Sequence, residues 1–175
     1  MQLLIFAGVP KTKLSPLEIG QILSELISKY NLKAAQILDN RYIWGKNHIL
    51  SAIWHALKAY QNNRMISKTL SMEILLYTAG FRQIKKAVEL LGIRVSTEEV
   101  IGIIIGEKQD QIIESCISAQ KSFQLDLRLD LLNNLSSKHQ YILKLLINEG
   151  FYATNFSNSE IENAILQRIA ILALE

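Results

Sequence analysis

Short apolar runs that end at turn residues alternate along this chain with longer segments whose apolar residues recur every three to four positions. Residues 3–7 and 34–38 are runs of the first kind, typical of buried strands. Residues 100–105 are apolar throughout and rich in β-branched side chains, as in a strand covered on both faces. Residues 123–131 alternate apolar and polar, which predicts a strand with one face in water. We therefore expect about four short strands.

Helical spacing recurs in segments that are bounded by capping signals. Ser15 and Glu18, like Ser159 and Glu162, have the spacing of a capping box at a helix start. Gly80 stands where a left-handed helix end is favoured. The predicted helices cover residues 15–29, 45–62, 67–79, 81–91, 108–119, 137–148 and 159–174. With no repeat or linker between them, these elements predict one α+β domain over residues 1–175, a small mixed or antiparallel sheet covered by about seven helices.

Two of these helices carry apolar stripes that make specific predictions. In the 45–62 helix the predicted core stripe is Leu50, Ile53, Trp54, Leu57 and Tyr60, with His48 off that stripe. In the C-terminal helix, Ile161, Ile165, Ile169 and Leu172 form the stripe that should face the core. A second stripe, offset from the first, is the predicted partner interface, and the alternative is that it covers another helix of the same chain. Its members are Leu166, Ala170, Ala173 and Leu174.

Composition excludes several classes of protein. Of 175 residues, 49% are hydrophobic and 20% charged, which is typical of a folded domain and not of a disordered chain. The single cysteine, Cys116, excludes a disulfide framework. No apolar run has the roughly 18 residues that a membrane span needs, so we expect a cytoplasmic protein with no membrane partner. No dinucleotide fingerprint, P-loop or metal-ligand spacing is present, and we expect no cofactor and no metal.

Charge is distributed unevenly. The net charge is only +3, but residues 41–94 hold nine Lys and Arg against two Glu, whereas residues 95–175 hold six against eleven acids. A basic block of this kind favours a polyanionic partner, and the alternative is a set of ordinary solvated helix faces. The candidate RNA-binding residues all lie in this block: Arg64, Lys68, Phe81, Arg82, Gln83, Lys85 and Lys86.

The centre of that candidate site is the turn at residues 81–83 and the helix that follows. Arg82, Lys85 and Lys86 fall on one helix face, and the helix start offers unpaired backbone N–H groups to a phosphate. Phe81, with Tyr77 or Trp44, is available to stack a base.

Glu73 is the one carboxylate in an otherwise apolar helix turn. Such a position suits acid–base chemistry, and a small enzyme that uses Glu73 and Arg82 is one alternative. We favour internal pairing, either with Arg82 or with backbone donors at a neighbouring helix start.

Residues 67–84 read SKTLSMEILLYTAGFRQI, and this segment resembles a known family. It is similar to the KEOPS subunit that binds the small kinase of that complex, the PRPK-binding protein family. Residues 47–52, with Ala56 and Ala59, resemble the preceding helix of the family, and residues 168–174 resemble its last one. The departure is Phe81, where relatives often carry a polar residue.

The resemblance implies a non-catalytic subunit in tRNA threonylcarbamoyladenosine modification, a reaction that another KEOPS subunit performs. It implies docking on the small atypical kinase, stimulation of that subunit's ATPase activity, and recruitment of tRNA through its single-stranded CCA end. Other KEOPS subunits would be indirect partners. A stand-alone single-stranded RNA-binding protein remains the other alternative.

Overall fold

One antiparallel sheet lies at the centre of the computed structural model, which describes residues 1–135, 138–148 and 156–174. Its strands are β1 (Gln2–Pro10), β2 (Ala34–Asp39), β3 (Val100–Gly106) and β4 (Leu125–Leu127). Their order in the sheet is β2-β3-β1-β4, and all three neighbouring pairs are antiparallel. The predicted α+β fold is confirmed, and its sheet is antiparallel and not mixed.

Seven α-helices are found in the described residues: α1 (Pro16–Lys29), α2 (Gly45–Gln61), α3 (Leu70–Ala79), α4 (Ile84–Leu91), α5 (Gln109–Ser122), α6 (His139–Asn148) and α7 (Asn158–Leu174). They cover both faces of the sheet. Helices α1 and α5 pack on the face that carries Phe6, Ile37 and Ile104. On the opposite face α3 packs against β2, α2 packs against α3, and α7 packs against both α2 and α3.

Strand β3 is buried along its whole length, as its β-branched sequence predicts. It lies between β2 and β1 and is covered by helices on both sides. Gly102 faces Phe6 of β1, and a Cβ atom at Gly102 would lie 1.9 Å from the Phe6 ring. Only glycine lets the aromatic ring cross the strand at this point.

The strand predicted at residues 123–131 is much shorter in the structure. Strand β4 pairs only with the last residues of β1, from Gly8 to Pro10, and ends at Leu127. The chain then forms a 3₁₀ turn, Leu129–Leu132, and Leu129 is 63% exposed. The alternation of polar and apolar residues is therefore wrong as a strand signal beyond Leu127: the Arg128 N–H still donates to the Ala7 carbonyl oxygen of β1 at 2.8 Å, but the chain then folds into the 3₁₀ turn.

The two predicted capping boxes also differ from the structure. Ser15 precedes α1, but its side chain accepts no capping hydrogen bond. At α7 the reciprocal pair is Ser157 and Glu160, two residues before the predicted one. The Ser157 N–H and hydroxyl donate to Glu160 at 2.8 and 2.6 Å. The predicted start of α6 at residue 137 lies outside the described residues.

Helix α2 buries a different face from the one its large apolar residues predict. Ala52 and Ala56 are fully buried, since both α3 and α7 pack closely against α2. Trp54 is 55% exposed, and Leu50 and Tyr60 are exposed as well. The predicted stripe is therefore wrong in three of its five members, because small residues allow the closest helix contacts.

His48 belongs to the buried face of α2 and not to its surface. Its Nδ1 accepts the Trp44 N–H at 2.9 Å, and its Nε2 lies 2.8 Å from the Thr78 carbonyl oxygen. Burial lowers the pKa of His48 to about 4, so the ring is neutral at pH 7 and links α2 to α3.

Candidate nucleic-acid interface

A groove of about 580 Å³ opens between α2, the loop after it, α3 and α7. Its walls combine three cations, three aromatic rings and an apolar edge from α7. The cations are Lys58, Arg64 and Arg82, and the rings belong to Trp54, His55 and Tyr77. The α7 edge consists of Ala170, Leu172, Ala173 and Leu174.

The cations of the groove have no acidic partners within residues 1–135, 138–148 and 156–174. Lys58, Arg64 and Arg82 are all exposed, and none of them lies within 4 Å of a carboxylate oxygen of these residues. In this part of the chain no ion pair neutralises their charges. Unpaired cations gathered at one groove favour an anionic ligand.

The exposed ring of Trp54 is the feature of this groove that the sequence analysis missed. Lys58 Nζ lies 4.5 Å from the Trp54 ring centroid, and His55 meets Trp54 edge-on at 4.7 Å. His55 in turn stacks on Tyr77, with centroids 5.9 Å apart and 18° between the planes. A half-exposed indole beside a lysine is suited to an unpaired base and its phosphate.

An ordinary histidine is already mostly neutral at pH 7, and the surroundings of His55 favour the neutral form further. Partial burial, together with nearby Lys58, lowers the pKa of His55 from its ordinary value. The positive potential therefore comes from the lysine and arginine side chains.

The loop at residues 62–69 places Arg64 at the groove, and Glu73 holds this loop. Glu73 is completely buried, and its carboxylate accepts the N–H groups of Ile66 and Ser67 at 3.0 and 2.8 Å. The Ser67 hydroxyl donates to the same carboxylate at 2.6 Å. Backbone donors hold Glu73 as expected, but they belong to the loop before its own helix and not to a neighbouring helix start, and the expected pairing with Arg82 is wrong.

The turn after α3 carries Arg82 to the other side of the groove. Gly80 has a φ of 68°, so the predicted left-handed end of α3 is confirmed. Helix α4 begins only at Ile84, because residues 81–83 continue in a non-helical connection. The Phe81 ring lies between two cations, Arg168 at 4.8 Å and Lys86 at 5.6 Å.

The predicted RNA-binding residues are thus only partly gathered. Arg64 and Arg82 line the groove together. Lys68, Gln83, Lys85 and Lys86 are exposed but do not line it. Trp44 is only 2% exposed, so its predicted role in stacking a base is wrong.

Helix α7 shows the two predicted stripes. Ile161, Ile165, Ile169 and Leu172 are buried, which confirms the core stripe. In the second stripe Leu166 is half-buried, Ala170 and Ala173 are exposed, and Leu174 is 87% exposed. Ala170, Ala173 and Leu174 also line the groove. The predicted partner interface and the candidate RNA-binding groove, which the sequence predicts as separate sites, therefore share one edge.

The described residues do not support a reactive cysteine, a metal site or a membrane-spanning helix. Cys116 is half-buried, and burial raises the pKa of its thiol, which disfavours the reactive thiolate. Across residues 1–135, 138–148 and 156–174, no three His, Cys, Asp or Glu side chains are grouped as a metal site requires. None of the helices in these ranges has the length and apolar character of a membrane span.

Residues 18–173 match the family described as kinase binding protein CGI-121. The chain belongs to the CGI-121 family. The match covers all the groove-lining residues except Leu174. It confirms the kinase-binding family to which the segment at residues 67–84 pointed.

A curated CGI-121 relative extends this result. The protein named EKC/KEOPS complex subunit CGI121 from Coccidioides immitis (strain RS) is 32% identical over 78 residues. The alignment covers 45% of this chain and 38% of the relative, so this chain spans well under two thirds of that protein's length.

Proposed function

We propose that this chain is a non-catalytic subunit of a KEOPS complex that binds the small kinase subunit and holds the single-stranded CCA end of tRNA. The description of the family, and the name of the fungal relative, support the kinase and the complex. The observation that carries the RNA part is the groove, which three cations line together with an exposed tryptophan, and these cations have no acidic partner among the described residues.

The shape and chemistry of the groove favour a single strand over a duplex. Its volume lies within the range of small-ligand pockets, which suits one or a few nucleotides. Arg64 and Arg82 stand at the groove to neutralise phosphates, and Trp54 offers an aromatic face to a base. A chain terminus is the part of a folded tRNA whose bases are free to enter such a groove.

The second stripe of α7 is the proposed kinase interface. Ala170 and Ala173 are small and exposed, so a partner element can approach the helix backbone closely. Leu174 and neighbouring Ile171, 87% and 54% exposed, extend the apolar surface to the end of α7. Docking on this stripe would increase the kinase's ATPase activity, as the family resemblance implies.

The two other candidate functions differ in their support. A stand-alone RNA-binding protein would use the same groove, and it is distinguished by the absence of the kinase after purification. An enzyme that uses Glu73 and Arg82 has little support, since the Glu73 oxygens accept three hydrogen bonds from the loop and do not face Arg82.

Leu166→Glu tests the kinase interface. Leu166 belongs to the stripe but does not line the groove, so a charge there should disrupt kinase docking without reaching RNA. We expect loss of co-elution with the kinase and of stimulated ATPase activity, with tRNA affinity unchanged. Leu174→Glu is a less selective change, because Leu174 lines the groove.

Gln167→Glu is the matched control, because it adds the same charge at the adjacent, exposed position of α7. It should stimulate the kinase normally. A folded Leu166→Glu protein that still stimulates the kinase would place the interface elsewhere, with α1 as the next surface to test.

A further inference from the structure

Glu73 is a buried carboxylate that is stabilised by hydrogen bonds from a neighbouring loop. It is 0% exposed, and among the described residues no lysine or arginine nitrogen lies within 4 Å of it. Burial of a charge is costly unless hydrogen bonds replace the lost water. Here all three donors come from Ile66 and Ser67, two consecutive residues of one loop.

These hydrogen bonds fix the part of the loop that carries Arg64. The Arg64 N–H donates to the Ala59 carbonyl oxygen at 2.9 Å, which holds the loop at the end of α2. Two residues later the Ile66 N–H is held by Glu73 on α3. The backbone that carries the Arg64 side chain is therefore anchored on both sides, by two different helices.

We infer that Glu73 is a positioning residue of the groove: its carboxylate orders the loop at residues 62–69 so that Arg64 reaches the RNA phosphate. This inference rests on the proposed RNA-binding function. Its physical basis is preorganisation, because a loop that is already ordered loses less conformational freedom when the ligand binds.

Glu73→Gln is the direct test, with the full chain and a single-stranded RNA oligonucleotide that ends in CCA. Glutamine has the same shape, but its NH₂ group faces N–H donors and cannot accept their hydrogen bonds. The change removes a negative charge, so an effect of charge alone would strengthen RNA binding. We expect the opposite, a loss of affinity on the order of tenfold.

A double-mutant cycle separates positioning from general destabilisation. If Glu73 acts through Arg64, Arg64→Ala should weaken binding in the wild type but cost less than about twofold in the Glu73→Gln background. Arg82→Ala should keep its full effect in both backgrounds, because Arg82 is carried by the turn after α3. Hydrogen exchange at the Ile66 and Ser67 amides should become faster in Glu73→Gln.

Glu89→Gln is the control for charge, since Glu89 is exposed on α4 and the change in net charge is the same. It should leave affinity unchanged or slightly higher. If Glu73→Gln does not fold, Ser67→Ala removes one of the three hydrogen bonds and is judged by the same cycle.

The outcomes distinguish this inference from the proposed function. Binding that depends on Arg64 but is unaffected by Glu73→Gln would overturn the positioning role alone, as would additive effects of Glu73→Gln and Arg64→Ala. Binding that depends on neither Arg64 nor Arg82 would overturn the proposed function, and the inference with it.

Discussion

Two kinds of cation in this molecule have opposite surroundings. Lys138, just before α6, is only 3% exposed, and its Nζ donates to Asn40 Oδ1 at 2.8 Å and to the Ile43 and Leu131 carbonyl oxygens at 3.1 and 3.2 Å. Arg64 and Arg82 are exposed and lie beside no carboxylate within the described ranges. The first cation is satisfied by the protein, whereas the other two are available to a ligand.

The availability of a cation to a ligand therefore depends on the hydrogen-bond acceptors that surround it in the fold, and not on the net charge of its segment of the sequence. Three acceptors use the whole donor capacity of the Lys138 ammonium, which connects the start of α6 to a 3₁₀ turn after β2, Asn40–Tyr42, and to the 3₁₀ turn Leu129–Leu132. Burial still lowers the pKa of Lys138 to about 8. Among the described residues the groove cations have no such acceptors, so their removal should affect binding and not stability.

Charge reversal of Arg82, Lys85 and Lys86 should have the largest effect. At 0.1 M salt each lost phosphate contact reduces affinity about fivefold, so the loss of three predicts weaker tRNA binding by on the order of 100-fold. The log–log salt slope should flatten by roughly 0.7 to 0.9 per contact. Titrations at several salt concentrations measure both, and thermal unfolding should be unchanged.

A reversal of Lys11, Lys13 and Lys121 is the matched control, because these exposed lysines lie away from the groove and change the net charge equally. It should change tRNA affinity only slightly. Of the three residues only Arg82 lines the groove, so Arg82→Glu should cost more affinity than Lys85→Glu or Lys86→Glu. Unchanged affinity and slope in the triple variant would mean that this basic face is only a solvated one.

Lys138→Met should have a smaller effect, and of the opposite kind. Three buried acceptors would lose their donor, which predicts a fall of about 2–3 kcal/mol in the free energy of unfolding, with tRNA affinity unchanged. Urea denaturation measures the change. Lys144→Met, an exposed position on α6, should stay within about 0.5 kcal/mol of the wild type. If a stable Lys138→Met protein lost tRNA binding, Lys138 would also act on the ligand, and the distinction between internally satisfied and ligand-binding cations would be wrong.

The sequence predicted the elements whose signals are local. Strand β3 needed only its run of β-branched residues, and the end of α3 needed only Gly80. The family resemblance was also carried by one continuous segment, residues 67–84, and it is confirmed.

The groove could not be predicted in the same way, because its walls come from distant parts of the chain. Trp44 and Trp54 lie ten residues apart, yet Trp44 is 2% exposed and Trp54 55%. Trp44 lies beside His139 of α6, with ring centroids 6.1 Å apart, whereas Trp54 lies on the wall of the groove, and no local pattern records this difference. Arg64 and Arg82 likewise line one groove because Glu73 holds the loop at residues 62–69, which carries Arg64. The hydrogen-bond partners of Glu73 include backbone amides, which a sequence pattern does not identify.

Binding of tRNA with and without its CCA end tests the central claim most directly. The full chain is titrated with intact tRNA, with the same tRNA trimmed of CCA, and with an isolated anticodon stem-loop. If the groove holds the single-stranded terminus, trimming should abolish most of the binding and the stem-loop should bind poorly. Equal affinity for intact and trimmed tRNA would contradict the account.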